Sequence, residues 1–294
     1  MKALFYRYLT RATKLFGPSF FAIVAQGIAT GFFLFDARRR AVGREFYAVL
    51  FPEKSRAYHY FAVWRQFTSF TFLYLDRFIQ REVKNLEYTI QGREHVVAAH
   101  ENGKGGILLM SHMGNWEVAA HLLTKVLPDV NLMLYMGIRD KEEIEKIQKQ
   151  SIRRDGIKII GVDQNGGSPF DIVEGIRFLQ NGGLVSMAGD VVWREDQRTI
   201  QGELLGRRVR IPEAPFVLAL VSGAPLIVFF AFRTPDGRYR FSALPPIPVA
   251  AARRQDRPVA LRSAAQSYLR HMETALAEFP FQWFHFKPFI ENGD

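Results

Sequence analysis

The sequence predicts an α/β fold, with a mostly parallel or mixed central sheet flanked by helices, set behind a helical N-terminal segment. Two observations carry that reading. From about residue 104, short apolar runs bounded by glycine alternate with stretches of helical periodicity, the signature of a sheet covered on both faces. Ahead of them, Leu15 to Phe35 contains no charged residue, and Ala57 to Arg81 is crowded with aromatic side chains.

The strands are expected at Gly105–Met110, Asn131–Met136, Ile157–Val162, Gly183–Ala188, Pro225–Phe232 and Tyr239–Ala243. The helices between and after them are expected at Asn115–Val126, Lys141–Arg154, Pro169–Leu179, Glu213–Val221 and Pro258–Phe279. Asn181-Gly182-Gly183 is a helix stop directly before a strand. The chain therefore divides into a basic and apolar segment, residues 1–44, and a main domain, residues 45–294. That domain opens with the aromatic lead-in over 57–81 and holds its α/β core over about 85–290.

Charge separates the two parts. The net charge is +10, yet Lys2, Arg7, Arg11, Lys14, Arg38, Arg39, Arg40 and Arg44 all fall in the first 44 residues against the single acid Asp36. Nucleic-acid binders spread a basic stripe over the folded domain, so this distribution argues against them. Basic clusters bracketing a greasy segment instead match anionic lipid headgroups. As a helix, Leu15–Phe35 would run roughly 31 Å, about the thickness of a hydrocarbon core. Gly17, Pro18, Gln26, Gly27 and Gly31 weaken a spanning reading. The equal basic clusters on both sides give no orientation bias and favour a hairpin or an in-plane helix. A buried helix of a soluble core is the competing reading.

The chain has no cysteine, which removes disulfides, thiolate metal sites and a cysteine nucleophile. Of seven histidines, only His112 stands at a strand-to-helix turn with a carboxylate a short fixed distance on, in Ser111-His112-Met113-Gly114-Asn115-Trp116-Glu117. An imidazole there can take a proton from an alcohol or amine. Glu117 is placed to fold back onto the ring and fix its tautomer, as the carboxylate does in a serine-protease triad. Gly114 permits a tight turn, and Asn115 is a helix cap whose neighbouring amides are candidates for an oxyanion site. In a parallel sheet, chemistry collects at the carboxyl ends of strands. His112 follows one expected strand and Asp190 follows another, so parallel strands put both on one edge.

Several weaker features accompany the pair. Asp190 is a candidate for positioning the acceptor or for holding a turn. Arg207, Arg208 and Arg210 form a basic strip suited to an acceptor phosphate or to an acidic carrier surface, with a solvated charged turn as the alternative. Trp116 and Trp193 are candidate walls of an acyl groove or ordinary core residues. Arg253, Arg254 and Arg257 read as plain surface. The glycines of Asn165-Gly166-Gly167-Ser168 lack the lysine of a phosphate-binding loop.

Together these blocks resemble the bacterial lipid A late acyltransferases of the lauroyl/myristoyl type, within the lysophospholipid acyltransferase superfamily. The resemblance runs through five ordered blocks: the H-x4-E run His112–Glu117; Gly183 to Asp190; Leu205-Gly206-Arg207-Arg208-Val209 leading to Pro212 and Ala214-Pro215; Ser222-Gly223-Ala224-Pro225 through Arg233; and Gln282-Trp283-Phe284. It implies a seven-stranded α/β sheet with an N-terminal anchor at the cytoplasmic face of the bacterial inner membrane. It also implies fatty acyl transfer from acyl carrier protein or coenzyme A thioester to a lipid or glycolipid hydroxyl. His112 is then the general base and Glu117 its partner, with Asn115, Trp116, Asp190, Arg207, Arg208 and Arg210 on the substrate side. No metal or organic cofactor is implied. Asp190–Asp196 is less rich in acids and glycines than the family's block, and Asp163–Pro169 lacks its usual arginine, so an acceptor other than lipid A is open. A thioesterase or lipid hydrolase using the same pair, and a non-enzymatic membrane-surface binder, are the alternatives.

Overall fold

The computed structural model describes residues 17–82, 87–127, 130–137, 158–162 and 169–291. Residues 1–16, the expected helix Lys141–Arg154 and the glycine-rich stretch ahead of Pro169 lie outside the described residues. The chain divides into two units, residues 1–87 with 275–292 and residues 88–274.

In the first unit the uncharged segment becomes helix α1 (Pro18–Phe35), which starts with proline in its first turn, where no amide hydrogen is needed. At Asp36 the chain turns by 90° into α2 (Ala37–Leu50). Asp36 caps α2 by accepting from the Arg39 amide at 3.0 Å. Arg40 reaches back to the Phe33 and Leu34 carbonyls at 2.6 and 2.7 Å, satisfying acceptors that end α1. No single described helix is long and apolar enough to cross a membrane; the bent pair α1–α2 passes that test only together.

The aromatic lead-in is helix α3 (Arg56–Glu82), which packs on α1 through Phe67 and donates from Trp64 Nε1 to Thr30 Oγ1 at 3.0 Å. Its partners also include the end of the chain. Tyr47 is fully buried and donates to the Pro280 carbonyl at 3.0 Å, and Gln66 donates to the Trp283 carbonyl at 2.5 Å. Core packing thus accounts for most of the aromatic crowding. The exception is α1, where Ile23 (72%), Phe32 (56%), Leu34 (57%) and Phe35 (88%) stand exposed.

The second unit holds a seven-stranded sheet in the order β1-β9-β8-β2-β5-β3-β4. Its strands are β1 (Tyr88–Gln91), β2 (Gly106–Met110), β3 (Leu132–Gly137), β4 (Lys158–Val162), β5 (Leu184–Ala188), β8 (Leu226–Arg233) and β9 (Tyr239–Ala243). All neighbours are parallel except β8 and β9. The helices are α4 (Arg93–Glu101), α5 (Trp116–Val126), α6 (Pro169–Gln180), α7 (Ala214–Ser222) and α8 (Arg257–Glu278). Strand β2 lies between β8 and β5 with Ile107, Leu108 and Leu109 almost wholly buried, as expected of a central strand covered on both faces. The six expected strands are present within a residue or so of their bounds; β1 and α4 are additions.

Strands β6 (Thr199–Leu204) and β7 (Arg207–Pro212) form a separate antiparallel hairpin. The basic strip is therefore strand, not turn. Its two-residue connection, Leu205-Gly206, takes positive φ at both positions (54° and 70°), the geometry that matches the twist of a hairpin. Leu205 is the non-glycine residue that carries this strain, and its amide donates to Glu273 Oε1 of α8 at 2.5 Å. Ile200, Leu204, Val209 and Ile211 face inward, whereas Gln201, Glu203, Arg208 and Arg210 face out.

Candidate active site

The site begins with register. Strands β2 and β5 are parallel with Met110 opposite Ala188, so the residues following each strand emerge side by side. The Gly189 amide donates to the Met110 carbonyl at 2.7 Å, which continues the ladder one step past the strand ends. Tyr268 of α8, fully buried, donates its hydroxyl to the same carbonyl at 3.1 Å. A Cβ at Gly189 would stand 2.7 Å from Leu109 and 2.8 Å from the Tyr268 ring, so only glycine lets the two strand ends and α8 close together here.

That closure puts Asp190 under His112. The His112 amide donates to Asp190 Oδ2 at 2.7 Å, and His112 Nδ1 lies 2.9 Å from Oδ1. A carboxylate only accepts, so this contact assigns the proton to Nδ1 and leaves a lone pair on Nε2. The Asp190 side chain is wholly buried, while 34% of the His112 side chain is exposed. One end of the pair is fixed and dry and the other opens outward. Burial, then the Asp190 carboxylate, push the Tyr268 phenol well above its usual range, so it stays protonated and donating.

The turn after His112 is anchored to the other side of β2. Gly114 bridges to Ala231 of β8 with φ 70°, and a Cβ there would stand 2.0 Å from the Ala231 carbonyl oxygen. The Asn115 amide donates to that oxygen at 2.8 Å. The Asn115 side chain caps α5 by accepting from Val118 at 3.2 Å, and donates to the Tyr239 hydroxyl of β9 at 3.0 Å. Asn115 is buried, with its amide and both polar side-chain atoms engaged, which makes it a scaffold for the turn. Its own amide serves β8.

Glu117 is buried, 3% exposed, in the first turn of α5. It is therefore not a solvated helix carboxylate. Trp116 is half-buried at the first position of the same helix. Arg207, Arg208 and Arg210 are exposed along β7, with Glu203 opposite Arg208 and Gln201 opposite Arg210. Arg253, Arg254 and Arg257 are surface residues, as expected.

Core packing is the wrong reading for Trp193. It is 36% exposed, with its ring 6.2 Å from the imidazole at 60°. Two neighbours of His112 thus escaped the sequence reading in part: Asp190, whose edge was anticipated and whose contact was not, and Trp193, offered as a groove wall or a core residue with no link to the imidazole. Tyr268, which props the strand end, gave no local signal at all.

Among the described residues no group of histidines and carboxylates could hold a metal ion. A small cavity of nearly wholly apolar lining lies between the β8–β9 flank and helices α4 and α5, bounded by Val96, Ala119, Leu123, Phe229 and Phe241.

No curated protein matches the chain. The model of the bacterial lipid A biosynthesis acyltransferases matches residues 3–289, nearly the whole length, and the motif and strand-end geometry described above fall inside it. The family supports acyl transfer to a lipid acceptor, and this chain, a mixed α/β protein with a histidine and a buried carboxylate at the edge of its sheet, belongs to it.

Proposed function

We propose that the protein transfers a fatty acyl group from an acyl thioester, on acyl carrier protein or coenzyme A, to a hydroxyl of a lipid or glycolipid acceptor. The observation that carries this reading is the Nδ1 contact with Asp190, which holds the proton on Nδ1 and the lone pair on Nε2 in a ring that is one-third exposed. Nε2 takes the proton as the acceptor oxygen attacks the thioester carbonyl. The C–O bond forms, the tetrahedral adduct collapses, the C–S bond breaks, and the imidazolium returns its proton to the departing thiolate. Asp190 holds the ring and stabilises its cationic form. Glu117 is the second buried carboxylate of the reaction centre, placed by the same turn that carries the base.

The hairpin arginines Arg207, Arg208 and Arg210 supply cationic contacts for a phosphate or for an acidic carrier surface. The exposed apolar residues of α1, followed by Arg38, Arg39 and Arg44, rest on an anionic membrane surface, with the helix in the plane, at the cytoplasmic face of the inner membrane. Trp116, at the start of α5, borders the substrate.

Incubation with a labelled acyl thioester and membrane lipid tests this reading. The expected product is a labelled ester in the lipid fraction, and His112→Ala lowers its rate about 100- to 10,000-fold. Free labelled fatty acid as the sole product would instead identify a thioesterase or lipid hydrolase.

A further inference from the structure

Helix α8 reaches two places at once. Its residues 266, 269 and 273 recur at helical spacing and so lie along one stripe, which meets the hairpin. Gln266 exchanges hydrogen bonds with the Glu203 backbone, accepting from the amide and donating to the carbonyl at 2.9 Å each. Glu273 accepts from the Leu205 amide at 2.5 Å. Alternate amides along β6 are therefore satisfied from α8, which covers what would otherwise be an open strand edge. Gly202 fits against the same stripe. A Cβ there would overlap Leu269 Cδ1, and Leu269 is wholly buried, with no room to give way. Beside Leu269 in the chain, Tyr268 holds the Met110 carbonyl at the strand end before His112. One helix thus grips the hairpin and the catalytic edge together.

A two-stranded hairpin has little stability of its own, and this one belongs to no larger sheet. The place of its outward arginines is therefore set by what grips it. We infer that Gln266 and Glu273 are positioning residues for a substrate phosphate held by Arg208 and Arg210, and that α8 fixes the distance between that phosphate and His112. This inference rests on the reading of the hairpin as a cationic contact, given above. Arg208 and Arg210 are two residues apart on the exposed face, about 7 Å along the strand. At that spacing two long guanidinium side chains can close on one tetrahedral anion. Across the ladder they meet one carboxylate, Glu203, and the neutral Gln201, so the face keeps an excess of positive charge. The anchoring bonds fall on the β6 backbone and not on the arginine side chains. They can be cut without touching the groups that meet the ligand.

Calorimetry on the full-length protein tests this with three probes: dihexanoyl phosphatidate, the phosphate-free dihexanoylglycerol, and coenzyme A, whose phosphates report on the donor side. The wild type binds phosphatidate or coenzyme A more tightly than dihexanoylglycerol, and Arg208→Ala with Arg210→Ala removes the difference. Which probe responds identifies the substrate that carries the phosphate. Gln266→Ala and Gly202→Ala each weaken the phosphate-dependent binding about 5- to 10-fold while both arginines are present. Glu273→Gln, whose amide oxygen still accepts from Leu205, retains the affinity that Glu273→Ala loses. In the background lacking both arginines, Gln266→Ala has no further effect, a non-additivity that a general loss of stability would not produce. Unchanged affinity in Gln266→Ala and Gly202→Ala, an equal loss with and without the arginines, or no arginine-dependent binding of either phosphate probe would overturn the inference. The expected binding pattern in a protein that forms no labelled ester would count against acyl transfer alone and leave the positioning roles standing.

Discussion

Two breaks between regular elements, the turn at His112–Asn115 and the elbow at Asp36, use the same local chemistry to different ends. In each, a short polar side chain caps the following helix, Asn115 for α5 and Asp36 for α2. The elbow's partners are all local: Arg39, and the Phe33 and Leu34 carbonyls reached by Arg40. The turn's partners come from the loop after β5, from β8 and from β9, as far as 124 residues away in the chain. A cap closed locally bends the chain. A cap whose turn is tied to three distant segments fixes a side chain well enough for chemistry, because no single contact can relax without disturbing the others.

The sharpest test of that contrast is Asp190→Asn. It keeps the shape of the buried side chain and removes its charge, and acyl transfer is expected to fall about 100-fold or more while urea unfolding shows a folded protein. Glu117→Gln is expected to cost less, since the Nδ1 contact survives; an equal or larger loss would return the orienting role to Glu117.

The caps themselves come next. Asn115→Ala loses a cap and a buried hydrogen bond to the Tyr239 hydroxyl, for a cost of about 2–4 kcal/mol. Asp36→Ala loses only an accessible cap, about 1 kcal/mol. Equal midpoint shifts in denaturation would erase the distinction between them. On α1, Ile23→Asp combined with Phe35→Asp is expected to weaken binding to anionic vesicles at least tenfold with no change in thermal midpoint, since both side chains are exposed.

The smallest effect concerns alkaline pH. Burial raises the phenols of Tyr47 and Tyr268 well above their usual range. Above about pH 10 the unfolded chain releases protons that the folded one keeps, so stability falls as pH rises through that range. Tyr47→Phe and Tyr268→Phe should each flatten the decline, read from unfolding curves between pH 8 and 11.

Much of the fold was legible because its signals are local. Apolar runs such as Gly106–Met110 and Leu226–Arg233, and the stop at Asn181-Gly182-Gly183, mark buried strands and helix ends whatever surrounds them. The antiparallel hairpin was not legible, because arginines at 207, 208 and 210 mask the inward Val209 and Ile211 of β7, and β6 offers only Ile200 and Leu204 among polar residues. The short strand β1 is mostly exposed and carries no apolar run. For the site, the strand-end rule put His112 and Asp190 on one edge. It could not say which carboxylate meets the ring, since that depends on the β2–β5 register and on the close approach at Gly189. The elbow was hidden for a related reason: an uncharged stretch reports hydrophobicity, and the 90° change of direction is made by Asp36 and Arg40 just beyond it.

The Met110 carbonyl, which receives both the Gly189 amide and the Tyr268 hydroxyl, has a consequence for how the enzyme matures. During synthesis the imidazole and its carboxylate leave the ribosome long before Tyr268 does. Until that helix docks, the strand end beside His112 lacks one of its two supports, so the pair of His112 and Asp190 becomes rigid late, after most of the sheet is made.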